Sequence, residues 1–133
     1  MKTSQLVRAA ALALIGLGVA APGAALADIK DYEFRLVEPT VKKGERVIAV
    51  QLLNKTTGKP VPDAVIFARR IDMAPDGMAT MDAPIEALPS TEPGVYRFRT
   101  NLGMAGRWQL SLAAKVQGET GAVESRLVLK VLP

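Results

Sequence analysis

Beyond Met1 the chain carries four methionines, and with no Cys and no His among its 133 residues these are its only soft donors. Three of them, Met73, Met78 and Met81, fall within nine residues of one another, in the stretch Ile71-Asp-Met-Ala-Pro-Asp-Gly-Met-Ala-Thr-Met-Asp82. The fourth, Met104, belongs to Gly103-Met-Ala-Gly-Arg-Trp108. Thioether sulfur is polarizable and uncharged at any pH, and it favours Cu(I) over hard ions such as Mg²⁺ or Ca²⁺. Met73, Met78 and Met81, with Met104 as a fourth ligand, therefore make a candidate Cu(I) site that needs no ligand to lose a proton. The spacing Met73-x₄-Met78-x₂-Met81 matches no regular metal motif, and methionine is also a flexible core filler and an adaptable surface for partners. Packing, copper binding and partner docking all remain open at this level.

Other chemistry is thinly represented. Without His or Cys, Ser-His-Asp and Cys-His arrangements are excluded, and no enzymatic activity is expected. Asp72, Asp76 and Asp82 are spaced unlike an EF-hand loop, and hard carboxylate oxygen suits Cu(I) poorly. They are expected to cap turns through Asx-type bonds to the backbone. The glycines of Gly103-Met-Ala-Gly106 precede no helix, so they do not form a phosphate loop.

The amino terminus has the layout of a secretory signal: Lys2 and Arg8, an apolar run from Ala9 to Ala20, and the small-x-small step Ala25-Leu-Ala27. The apolar run is short for a membrane span of about 20 residues and is interrupted by Gly16, Gly18 and Pro22. Residues 1–27 are expected to be cleaved, leaving residues 28–133 as one domain, without a stable membrane anchor and with a periplasmic location. Loss of Lys2 and Arg8 leaves 15 basic and 13 acidic residues. Those charges are interspersed, with no basic stripe, so nucleic acid is not an expected partner.

The elements that must position the methionines are short strands. Tyr32, Phe34 and Leu36 alternate with Glu33, Arg35 and Val37 before Glu38-Pro39 stops the pattern. Lys42 to Glu45 reads as a turn. Arg46 to Leu53 is nearly continuous in apolar residues, as in a central strand or one covered on both faces. Ala64 to Ile71 is a third strand, and Asp72 to Pro84, rich in Pro, Gly and Asp, reads as a loop. Ile85 to Leu88, Val95 to Arg99, Arg107 to Val116 and Val123 to Leu132 complete the set. Within the last two, Trp108, Leu110, Leu112, Ala114 and Val116 share one face, as do Val123, Ser125, Leu127, Leu129 and Val131. About seven strands at this spacing predict an all-β, immunoglobulin-like sandwich, with Trp108 buried between the sheets and its indole N–H near an acceptor.

Four segments carry a family resemblance: Gly58-Lys-Pro-Val-Pro-Asp-Ala64, Asp72-Met-Ala-Pro-Asp-Gly-Met78, Pro93-Gly-Val-Tyr96, and Met104-Ala-Gly-Arg-Trp108 with the strand to Val116. Together they resemble the YtkA-like domains of FixH-type proteins over about residues 30 to 132. The resemblance implies an immunoglobulin-like sandwich outside the cytoplasmic membrane and a link to copper supply or heavy-metal efflux. The implied partners are metal-efflux or oxidase-assembly proteins. FixH itself is held by a transmembrane helix, whereas this chain is expected to be released. Copper carriers of the CopC type are similar in architecture but use histidine, which this chain lacks. The resulting expectation is a periplasmic Cu(I)-binding accessory protein. Its rival is a metal-free interaction module that docks on a membrane or efflux complex.

Overall fold

The computed structural model describes residues 29–133; the expected signal, residues 1–27, lies outside the described residues. A single 3₁₀ turn, Ile29–Asp31, leads into nine strands: β1 (Tyr32–Leu36), β2 (Thr40–Lys42), β3 (Gly44–Asn54), β4 (Val65–Met73), β5 (Met78–Ala83), β6 (Ile85–Leu88), β7 (Val95–Leu102), β8 (Gly106–Lys115) and β9 (Val123–Leu132). One sheet has the order β1-β3-β7-β6 and the other β2-β9-β8-β4-β5. Pairing is antiparallel throughout, apart from the short parallel ladder of β2 on β9. With β2 and β5 taken as additions, the other seven strands distribute as A-B-E-D and G-F-C, the order of an immunoglobulin-like sandwich.

The core follows the period of two. Ile48, Val50 and Leu52 of β3, Phe98 and Leu102 of β7, Trp108, Leu110 and Leu112 of β8, and Leu129 and Val131 of β9 are all buried between the sheets. Alternate positions face solvent, which is how β3 differs from a strand covered on both sides. It is central to its sheet, yet Val47 is 42% exposed, because an antiparallel sheet in a two-layer sandwich buries only one face. Trp108 is 2% exposed, and its indole Nε1–H donates to the Met104 carbonyl at 3.0 Å. That bond satisfies the one polar group on the largest core side chain.

All seven expected strands are present, and the two additional ones fall where turn or loop was expected. β2 occupies part of the Glu38 to Glu45 region. More consequential is the methionine segment. The expected loop from Asp72 to Pro84 is instead the end of β4, a 3₁₀ turn at Ala74–Asp76, and β5 paired back on β4. Its loop-like composition is spent on one tight reversal. Asp72 Oδ1 accepts the Ala74 N–H at 2.9 Å, Pro75 sits early in the turn where a missing N–H costs nothing, and Gly77 takes the left-handed conformation at φ 79°. Pro84 then separates β5 from β6, and the chain passes from one sheet to the other. The Thr100 hydroxyl fixes that passage by donating to the Pro84 carbonyl at 2.7 Å.

Candidate functional site

Arginines account for the carboxylates of the methionine hairpin. Arg70 Nε donates to Asp72 Oδ2 at 2.8 Å, its Nη1 to Asp82 Oδ2 at 3.1 Å, and its Nη2 to the Ala79 carbonyl at 2.8 Å. One guanidinium thus ties β4 to β5 across the hairpin. Asp76 looks the other way, toward the start of β8: its Oδ2 accepts the Arg107 backbone N–H at 2.9 Å and its Oδ1 accepts Arg107 Nε at 2.8 Å. Arg107 Nη2 adds a bond to the Pro75 carbonyl at 2.7 Å. These bonds hold the Asp76 carboxyl below its ordinary range, the backbone N–H contributing most and the guanidinium next. Asp72 makes the expected Asx-type bond, while Asp76 and Asp82 serve as arginine partners. Among the described residues no group of three or more carboxylates is arranged to hold a metal.

The four methionines fall into two pairs. Met73 is wholly buried, and Met78, which is its cross-strand partner, packs half-buried against the same core. Met81 and Met104 are each 40% exposed. Met81 lies in the stretch of β5 that bulges out of register with β4, between the pairs Asp72–Asp82 and Met73–Met78. Met104 stands on the turn between β7 and β8. Both residues line one open groove of about 340 Å³, together with Asp82, Pro84, Asn101 and Trp108. The structure therefore brings Met81 and Met104 to one surface and assigns Met73 and Met78 to the interior side of the hairpin. A larger concavity of about 560 Å³ lies across β4, β8 and β9, around Ala68, Ala113, Arg70 and Arg126, and offers no thioether. The soft donors, and not size, distinguish the smaller groove.

The segments singled out in the sequence contact each other in two sets. In the first, Tyr96 donates its hydroxyl hydrogen to the Val61 carbonyl at 2.6 Å and accepts the Ala64 N–H at 3.1 Å. Gly94, at φ 80°, passes so close to Pro60 that any side chain there would collide with the proline ring. In the second set, a Cβ on Gly106 would come 2.6 Å from Asp76 Oδ2 and 2.7 Å from Met73 Cε. The glycine leaves room for the Asp76–Arg107 clamp and for the buried methionine at once. These contacts hold the fold together, and the side chains of Met81, just beyond the Asp72 to Met78 segment, and Met104 are left partly facing solvent. Arg70 and Arg107 do not stand out in the sequence as site residues. For Arg70 a signal existed, since an i, i+2 Arg-Asp pair on a strand shares a face. Arg107 and Asp76 are 31 positions apart, beyond any local pattern.

Strand order, core and groove together define a small immunoglobulin-like sandwich domain with a thioether-lined opening at one end. The chain belongs to the YtkA-like family, whose model matches residues 26–113 and so takes in all four methionines. No curated protein matches it. Among solved structures, it is similar to the Lin-41 filamin domain at 17% identity and a TM-score of 0.46, over 76% of this chain and 91% of that one. It is also similar to the endo-β-1,4-mannanase from Thermotoga petrophila, at 13% identity and a TM-score of 0.42, over 79% of this chain and 20% of that one.

Proposed function

We propose that this domain is an exported, non-catalytic accessory protein that handles Cu(I), with Met81 and Met104 as the ligands that exchange the ion. The observation that carries this reading is that two half-exposed thioethers from separate segments line one open groove. Asp82 lines the same groove, and its carboxylate is paired with Arg70, so the two thioethers are the soft donors of a site whose one hard anion has a cation partner. Two thioethers leave coordination positions free for a further ligand, which suits transfer better than storage. The YtkA-like family membership supports a metal-related role, and a metal-efflux system or a FixH-like copper delivery to an oxidase is the setting in which it fits. The signal-like amino terminus supports a periplasmic location.

A Cu(I) competition titration tests this. Replacing Met81 and Met104 together by Leu keeps volume and apolarity, so stability should change by less than about 1.5 kcal/mol while Cu(I) binding is lost. Met73→Leu should leave binding intact. Because no thioether must lose a proton, the wild-type affinity should hold between pH 7 and about pH 5, where a His or Cys site would weaken. An unaltered competition curve for the double variant would refute the site. The rival reading, a metal-free docking module, would then lead; it is favoured by Val65, Phe67 and Val128, which are 61%, 59% and 50% exposed on β4 and β9.

A further inference from the structure

We infer that Met81 and Met104 are also modification sites: surface thioethers that a peroxide converts to sulfoxides, closing the groove to soft metals while Met73 stays reduced. The oxidation itself stands on exposure and needs no copper; only its effect on the metal rests on the function proposed above.

The chemistry requires access to a sulfur lone pair. That lone pair attacks one oxygen of the peroxide, the O–O bond breaks as the S–O bond forms, and the proton of the attacked oxygen passes to the departing hydroxide to give water. Sulfur is oxidised by two electrons and the peroxide is reduced by two. Met81 and Met104 are each 40% exposed, whereas Met73 is 0% exposed and Met78 lies half-buried against it. No cysteine is present to intercept the oxidant first, so the thioethers of the groove meet it directly. The consequences also divide by position. A sulfoxide on the open groove keeps its polar S–O group in water, at little cost to the fold. The same group at Met73 would be buried among apolar side chains without a partner, and would loosen the core. The Met104 carbonyl that receives the Trp108 indole is backbone, so oxidation of that side chain leaves the Trp108 bond in place. A sulfoxide sulfur has given one of its two lone pairs to oxygen and is left electron-poor, a much weaker donor to a soft cation, so metal and oxygen compete for the same atoms.

The test is a hydrogen peroxide time course on the folded mature protein, with the mass gain of each methionine peptide followed by mass spectrometry. Met81 and Met104 should gain oxygen at least about tenfold faster than Met73, and in denaturant the rates should converge. Oxidation of Met73 at the rate of the other two in the folded protein would overturn the inference, whatever the copper titration gives. A second arm adds Ag(I), a soft cation that peroxide does not cycle between oxidation states. Protection of Met81 and Met104 by Ag(I) would support the competition between metal and oxygen. Unchanged rates with Ag(I), alongside the expected ranking, would overturn the coupling to metal and leave the modification sites standing.

Discussion

Trp108 and the methionines show how differently one kind of apolar side chain can be used at the scale of a residue. Trp108 fills the space between the sheets, and its only polar atom is satisfied by a carbonyl four residues earlier. Trp108→Ala should therefore cost roughly 3 to 5 kcal/mol, the transfer term plus an unfilled cavity, a large share of the stability of one small domain. Denaturant unfolding would check it, and a midpoint equal to the wild type would mean that the residue does not anchor the core. Met73, Met78, Met81 and Met104 are chemically identical in the sequence, yet they span the range from wholly buried to nearly half exposed. Nothing in their own spacing separates them, because the partition is made by the neighbours that cover each one.

At the scale of elements, the hairpin of β4 and β5 is where the sequence and the structure part company. The alternation in β8 and β9 was readable because each buried face lies two residues apart along one strand. That same rule placed Trp108, Leu110 and Leu112 in the core. The hairpin was not readable in this way: its strands are held by side chains that cross between segments, with Arg70 reaching Asp82 and Ala79, and Arg107 reaching Asp76 and Pro75. A composition of Pro, Gly and Asp signals a reversal, but not how few residues the reversal takes. For the same reason the meeting of Met81 and Met104 was invisible, since it depends on where β5 leaves its sheet relative to the β7–β8 turn.

The clamp gives the hairpin a pH dependence. The Asp76 carboxyl has an ordinary value of 3.8 and is held below it in the fold by the Arg107 N–H and guanidinium. A depressed carboxyl contributes stability that is present above its unfolded value and disappears as pH falls through the folded one. The stability lost in Asp76→Asn should therefore be evident at pH 6 and should shrink below about pH 3.8. Thermal unfolding of the two proteins across that range would decide it; a gap that persists undiminished at the lowest pH would remove Asp76 ionisation as its cause.

Across the whole molecule, the two sheets are joined by the core and by polar ties at the turns, and where the Asp76 clamp within one sheet responds to acid, a tie between the sheets responds to alkali. Tyr32 on β1 belongs to the four-stranded sheet, and its hydroxyl donates at 2.7 Å to Glu119 in the turn between β8 and β9 of the other sheet. Burial, followed by the bond to Glu119, pushes the phenol up from 10.0 to about 12. A phenol raised in the fold contributes stability that is complete below its unfolded value and is lost as pH rises through the folded one. Tyr32→Phe keeps the ring against the core and deletes only the tie. The variant should be less stable than the wild type at pH 8, and the difference should close between about pH 10 and pH 12. Lysines and other groups that titrate in that range are common to both proteins, so the difference between the two curves isolates the phenol. Parallel stability curves up to pH 12 would show that the Tyr32–Glu119 bond does not hold the sheets together. The cohesion of the sandwich would then rest on the packing of Trp108, Phe98 and their neighbours and on the Thr100–Pro84 bond.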